Sequence, residues 1–543
     1  MLKKLLNSHG FDISKSALKN VGPICLWSSL IGTFMGAFTW VYSTAFEHMQ
    51  HCSRDYVYAY VYSNPQYVPV LFLCLFIFAA ITFLVIKYLS RQSSGCGTPY
   101  AEAEMRGLLH DRGRNGFKLL AGVLINSLLS IFAGVPLDAE GSATKIGSIT
   151  GSMLSQTDGR RKFKHTSWER YMVTAGASSA LACCSNAPLT GIMFSLEEGH
   201  RKFSTSIFLS TASAVLCGII TRRLLVMWTG FGSAEHFVFA NSLTGMIPFE
   251  QIWMLLILGV VIGTASTLFG YIADTCNDWV REHKPNLLVS IISLFVIVGI
   301  LGLTFNDALY GGTNLINKVL TNGYTWDTAL LLFVVRFVLI IFAICCRGSG
   351  GLFLPMLSLG ALMGYLMGYS FTFIGMDPIY ISTIVVISMA AFFSSVVRAP
   401  LTGILLIVEL TGEVLNGFFE TGIVIFVSFV MVSLLNIVPI YDSLIDDNLE
   451  IEREGKTISS SSISIIVERG SFIDGREIRD ILWPDGVSIV SIKHADTSST
   501  EDEKNEEYVK GDNIAKPGDE FFLKIKTYFP DIAKMSIEEL FIK

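Results

Sequence analysis

Charge is scarce in this chain. Asp, Glu, Lys and Arg make up 16% of its 543 residues, while apolar residues supply 51%. So little charge, with a mean hydropathy of +0.53, excludes an ordinary water-soluble domain and describes a chain whose solvent is largely lipid. The formal net charge is −6, and no nucleic-acid partner is expected. Ten cysteines are present, two pairs of them adjacent (Cys183 with Cys184, Cys345 with Cys346), but no CxxC or Cys/His ligand spacing occurs. No metal or other cofactor is therefore expected, and the cysteines read as small buried apolar residues. The first twenty residues carry basic charge without the continuous apolar core of a secretory signal, so they read as an uncleaved cytosolic segment. A TVGYG-like filter is missing, which argues against a potassium pore. No histidine falls within the glycine-rich motifs, so Cys96 lacks a nearby base and an enzyme is not expected; His110, His165 and His200 lie near basic loops.

What is present is a duplication. Residues 187–197 read APLTGIMFSLE and residues 399–409 read APLTGILLIVE. In a membrane chain, a duplicated half interrupted by Gly and Pro points to a pathway built where the repeats meet. Apolar runs of roughly 20 residues can span a bilayer. They lie at 21–46, 68–89, 117–135, 207–228, 252–272, 287–304, 330–346 and 422–438. Glycine-rich stretches at 141–154 and 351–368, and both duplicated phrases, are too short to span and predict half-helices. Basic clusters at 112–118, 160–170, 201–202 and 222–223 predict cytosolic loops, and residues 48–66, poor in Lys and Arg, predict an outer face.

Composition changes after Tyr441. Acidic residues crowd from Asp446, and three strand-like runs follow (SISIIVERG, VSIVSIKH, GDEFFLKIK), with GREIRDIL predicted as a short helix and 496–513 as polar loop. This predicts a water-exposed domain of roughly 80 residues with no spanning run.

A carboxylate at membrane depth is expensive unless it lines a cavity, pairs or takes a proton. Glu197 and Glu409 are equivalent in the two phrases, so they read as shared architecture: helix-end acceptors or ion-pair partners. Glu198 corresponds to Leu410, so whatever it does is done once per chain, as suits proton transfer; the alternative is an edge carboxylate paired with His200 or Arg201. Glu140 lies in GVPLDAEGSATKIGS, and aligning Gly147 with Gly360 sets it against apolar sequence. A Glu before Gly-Ser at a helix start can occupy an anion's place and leave when protonated, or it can simply cap the helix. SSGCGTPYAE (93–102), the Glu140 segment and RGSGGLFLP (347–355) share exposed amides beside glycines. Aimed at one point, they would hold an anion without a full positive charge.

These residues resemble the ClC family of chloride channels and chloride/proton antiporters over roughly 21–441. GCGTP (95–99) is similar to the family's GSGIP, AEGSA (139–143) to its G(K/R)EGP, GLFLP (351–355) to its GxFxP, and Tyr441 to its anion-contacting tyrosine. The resemblance implies an all-α polytopic membrane protein with two inverted-topology repeats and broken helices, plus a small α/β cytosolic C-terminal domain. It also implies a prokaryotic-type homodimer in the cell membrane, both termini cytosolic, with one pathway per subunit. Glu140 is then the gating glutamate and Glu198 the proton glutamate. Cys96, Gly97, Gly141, Leu352, Phe353 and Tyr441 surround the anion, and the activity is chloride/proton antiport, with a passive anion channel as the competitor. A fluoride exporter is disfavoured by Tyr441. Departures are Cys96 for serine, which leaves anion preference open because a thiol is a weaker donor, Ala139, Ser142 and Ala143 in the gating segment, and Lys145 where Gln is commoner. Lys145 either adds charge near the Glu140 helix or snorkels to the surface. The tail resembles the C-terminal subdomain of RCK/TrkA regulators, which implies a dimerising module that can take a small ligand such as a cyclic dinucleotide. The expected boundaries are 1–20 cytosolic segment, 21–445 membrane domain (halves 21–228 and 250–440), 446–460 linker, 461–530 RCK/TrkA-C-like domain and 531–543 tail.

Overall fold

Lipid leaves no partner for an unpaired amide, so a chain this apolar must satisfy its backbone within helices. The computed structural model describes residues 9–109, 116–155, 166–232, 247–412, 417–494 and 511–542. The first eight residues, parts of the basic clusters at 112–118 and 160–170, and most of the predicted loop 496–513 lie outside the described residues. Among those described, nine helices are long and apolar enough to cross a membrane.

The first half runs α1 (His9–His51), α2 (Val68–Tyr88), α3 (Gly97–Arg106), α4 (Gly116–Ala133), α5 (Ala139–Ser155), α6 (Thr166–Ser185), α7 (Pro188–Met193) and α8 (Thr205–Thr229). The second runs α9 (Ile252–His283), α10 (Leu287–Thr304), α11 (Thr313–Leu320), α12 (Trp326–Cys345), α13 (Phe353–Thr372), α14 (Ile381–Val397), α15 (Pro400–Thr411) and α16 (Phe418–Leu434). Packing repeats with the sequence. α1 lies against α8 and α6 as α9 lies against α16 and α14, and α5 packs on α6 as α13 packs on α14. Gly147 and Gly360 mark the last correspondence: a Cβ at Gly147 would stand 2.3 Å from the Gly176 carbonyl oxygen, and one at Gly360 2.6 Å from that of Ser388. Small residues at such crossings let the helices touch backbone to backbone. α13, predicted as a half-helix, is 20 residues long, because its apolar sequence continues past Gly368.

The duplicated phrases form α7 and α15, each with Pro in its first turn, where the missing N–H costs nothing. Glu409, at the end of α15, accepts from Leu189 N (2.6 Å), Thr190 N (2.8 Å) and Thr190 Oγ1 (2.7 Å) at the start of α7. Glu197, beyond the end of α7, accepts from Leu401 N (3.0 Å), Thr402 N (2.7 Å) and Thr402 Oγ1 (2.7 Å) at the start of α15. Each copy caps the other. The two helices are thus antiparallel, which is the local signature of an inverted repeat.

α17 (Ile440–Arg453) follows, so the predicted linker 446–460 is helical for half its length. The C-terminal domain is an antiparallel sheet of β1 (Ser459–Ile466), β2 (Val487–Lys493) and β3 (Glu520–Thr527), in the order β1-β3-β2. The predicted tail is instead α18 (Pro530–Phe541), which packs on β1 and β3 with Ile537, Leu540 and Phe541 buried, so the domain extends beyond residue 530. GREIRDIL forms only a single 3-10 turn, Ile478–Asp480. Its amides are engaged elsewhere: Gly475, Ile478 and Arg479 donate to the carbonyls of Ala515, Asn513 and Gly511. Trp483 O accepts from Arg170 Nη1 (2.8 Å), Asp480 O accepts from Tyr171 Oη (3.1 Å), and Asp480 Oδ1 accepts from Ser204 Oγ (2.8 Å), seating the domain on α6 and the loop before α8.

Candidate anion pathway and its carboxyl pairs

The three glycine-rich segments do meet. Gly97 N donates to Gly350 O (3.1 Å), and Asp138 and Gly351 exchange both backbone hydrogen bonds (3.1 and 3.0 Å). The approach is so close that a Cβ at Gly97 would lie 2.0 Å from Gly141 O, and one at Gly141 would lie 2.4 Å from Gly351 Cα. Only glycine allows it.

Asp138, which sequence reasoning passed over, fastens this junction. Its Oδ1 accepts from Gly141 N (3.2 Å), capping α5, and its Oδ2 accepts from Leu354 N (2.7 Å) in the first turn of α13. One side chain therefore ties the broken helices of the two halves together. An Asp three residues before a helical glycine was the available signal. Arg336 was missed as well: fully buried, it donates to the carbonyls of Ala308, Leu309, Tyr310 and Gly311 and to Ser358 Oγ, fixing the loop that supports α13.

Not every predicted anion ligand offers a free donor. The amide of Gly97 is taken by Gly350 O and that of Gly141 by Asp138, so these two glycines serve close approach, and the expectation that they bind the anion is corrected. The amides of Leu352 and Phe353, at the start of α13, have no acceptor among the described residues. Those two residues also divide two cavities. Leu352 lines a small one of about 30 Å³ with Cys96, Ser94, Gly95 and Arg347, which shares Arg91, Arg347, Asp447 and Ile451 with a cavity of about 840 Å³ reaching Tyr528 of the C-terminal domain. Phe353 lines one of about 290 Å³ on the far side, with Glu140, Asp138, Cys184 and Leu410. Tyr441 is buried in the first turn of α17, within electrostatic reach of Cys96 and Glu198.

Each predicted glutamate faces a second carboxyl. Glu140 is buried in the first turn of α5 beside Asp138, and its Oε2 has no hydrogen-bond partner. Since Asp138 already caps the helix, capping does not account for Glu140. Glu198 is buried in a π-helical turn, Phe194–Gly199, facing Glu102 of α3, and Oε1 of both residues lacks a partner. The second copy has no such turn and continues as regular helix to Thr411. Neither His200 nor Arg201 holds Glu198: His200 Nε2 meets Thr174 Oγ1 (2.8 Å), and Arg201 pairs with Asp442. Arg106 braces the site, donating to Glu102 Oε2 (2.8 Å), Asp442 Oδ1 (2.9 Å) and the carbonyls of Glu198 and Gly199. Two carboxyls in one dry site hold a proton between them more readily than two charges.

An inverted duplication whose broken helix starts converge at the protein's centre, between two cavities, defines a polytopic membrane protein of the transport class. More particularly, the chain belongs to the voltage gated chloride channel family, whose profile matches residues 77–433. It is similar to the H(+)/Cl(-) exchange transporter ClcA of Klebsiella pneumoniae (strain 342), with 28% identity over 352 residues, 63% of this chain and 71% of the relative. The protein of the same name from Yersinia pestis is 28% identical over 351 residues, 63% and 70% of the two chains. Among solved structures, a slow cyanobacterial Cl-/H+ antiporter has a TM-score of 0.70 at 24% identity and covers 78% of this chain and 98% of its own. A CLC-type fluoride/proton antiporter has a TM-score of 0.60 at 19% identity, covering 77% and 98%. At these identities the structural likeness is one of fold.

Proposed function

We propose that this protein exchanges chloride for protons across a cell membrane. The observation that carries the reading is the placement of two carboxyl pairs on opposite sides of one junction, Glu140 with Asp138 and Glu198 with Glu102, at positions the duplication does not repeat. The anion moves between the two cavities past the Leu352 and Phe353 amides and the Tyr441 hydroxyl. Glu140 occupies the anion's place when ionised and leaves it when protonated. Glu198, beside Glu102, takes the proton on the side of the C-terminal domain, which is the cytosolic side on this reading. The names of the ClcA relatives support chloride and protons as the substrates, and no cofactor or enzymatic step is required.

Coupled flux in proteoliposomes tests this. A chloride gradient should drive uphill proton movement in the wild type. Glu198→Gln should abolish proton movement and keep chloride flux, and Glu140→Gln should remove the pH dependence of chloride flux. A gradient that moves no protons in the wild type would establish the passive channel instead. Two copies are proposed to pair through the apolar faces of α8 and α16, where Leu216, Ile220 and Phe426 are exposed in the single chain. The C-terminal domain is proposed to act as a cytosolic regulatory cap of RCK/TrkA-C type. Calorimetric titration with cyclic dinucleotides checks for a ligand, and no heat would leave it a structural cap.

A further inference from the structure

Of the two alternatives, the structure takes the first: Lys145 is buried on the helix that presents Glu140, not at the surface. It is 1% exposed on α5, and its ammonium donates to Gln92 O (2.5 Å), lies 3.4 Å from Ser94 O and sits 4.6 Å from the centre of the Tyr100 ring. Those carbonyls belong to the turn that runs directly into Gly95, Cys96 and Gly97. Among the described residues no ion pair within 4 Å is formed by Lys145, and Glu104 is the carboxylate that acts on it electrostatically. A buried ammonium satisfied by two carbonyls and a ring face still has no counter-charge in direct contact. Ser94, whose carbonyl meets the ammonium, also lines the small cavity with Gly95, Cys96 and Leu352, where such a charge could sit.

We infer that the counter-charge of Lys145 is the transported anion, and that Lys145 sets anion affinity at the Cys96 end of the pathway. The inference rests on the anion-transport reading above. A thiol at position 96 is a weaker donor than a hydroxyl. A positive charge held on the same loop restores attraction without blocking the path, because Lys145 does not itself line the cavity. Lys145 is thus a positioning and affinity residue, separate from both carboxyl pairs. At an effective dielectric of about 20, a unit charge within about 10 Å of a bound anion changes its affinity by about tenfold or more.

The test is isothermal titration of chloride into the purified full chain and into Lys145→Gln, Lys145→Met and Lys145→Arg, each confirmed as monodisperse and cooperatively unfolding. Gln can still donate to the carbonyls but carries no charge. Lys145→Gln and Lys145→Met should weaken chloride binding by about tenfold or more, Lys145→Arg should retain most of it, and protons moved per chloride should match the wild type. Wild-type affinity in Lys145→Gln overturns the inference, as does an equal loss in Lys145→Arg, which would mark a packing role. Should the neutral variants not fold, anomalous scattering from bromide-soaked wild-type crystals decides: bromide beside Cys96 supports the inference, and bromide confined elsewhere overturns it. A wild type that neither binds nor moves chloride would remove the transport reading itself and this inference with it.

Discussion

Glu197 and Glu198 are neighbours in sequence and should fail in opposite ways. Glu197 and Glu409 each accept three hydrogen bonds at the start of the opposite repeat's helix, and Glu409 is buried. Hydrogen bonds to an ionised group are worth about 1.5–3 kcal/mol each. Glu409→Gln keeps one accepting oxygen but turns an amide N–H₂ toward the donors of Leu189 or Thr190, so about 2–4 kcal/mol should be lost. At roughly 2 °C per kcal/mol for a large domain, the apparent unfolding midpoint falls by about 4–8 °C. Glu197 is less buried, so Glu197→Gln should cost less. The two caps lie at opposite ends of an antiparallel helix pair, and the double variant should be additive within about 0.5 kcal/mol. Thermal unfolding of the detergent-solubilised protein at fixed scan rate gives the midpoints, and proteoliposome flux at a permissive temperature gives the coupling. Both capping variants should lose stability and keep their proton-to-chloride ratio; Glu198→Gln should do the reverse. A Glu409→Gln protein that unfolds at the wild-type temperature, or a Glu197→Gln protein that loses proton coupling, would refute the division of labour between these neighbours.

Gly351→Ala places a Cβ 1.9 Å from Asp138 Oδ1 and 2.5 Å from Gly141 N, so the junction must open; chloride flux should fall at least tenfold, read as efflux from liposomes. Asp138→Asn can accept from Gly141 N or from Leu354 N but not from both, and leaving one buried amide unmet costs about 1–3 kcal/mol; a lower unfolding midpoint with reduced flux is expected. Arg170→Met removes the bonds to Trp483 O and to Met105 O. Limited proteolysis should then cut between the membrane domain and β1 faster than in the wild type. Cys96→Ser restores a stronger donor and should raise chloride binding relative to bromide, measured by titration with each halide.

Legibility differed from residue to residue. The repeat, most spans and the glycine segments are readable because lipid imposes length and composition, and because a duplicated sequence carries its own internal alignment. Glu140 and Glu198 stood out for one reason: each breaks the duplication at a place where charge is costly. Glu102 and Asp138 did not. Their roles come from facing Glu198 and Glu140, and a carboxylate on a short helix or two residues before a glutamate looks ordinary until the fold sets it opposite another. Lys145 was noticed, but its direction was open, since a long side chain can reach either way. The C-terminal boundary was drawn too early for a related reason: the burial of Ile537, Leu540 and Phe541 depends on a sheet whose strands are distant in sequence.

By itself the sequence determined the membrane setting, the two-fold repeat and the pair of unduplicated glutamates, because these follow from hydropathy, spacing and self-similarity along the chain. The tertiary structure alone decided which amides are free. Gly97 and Gly141 give theirs to Gly350 and Asp138, while Leu352 and Phe353 keep theirs. Hydrogen-bond satisfaction is a property of neighbours in space, and at a junction where three distant segments meet, those neighbours are set by packing.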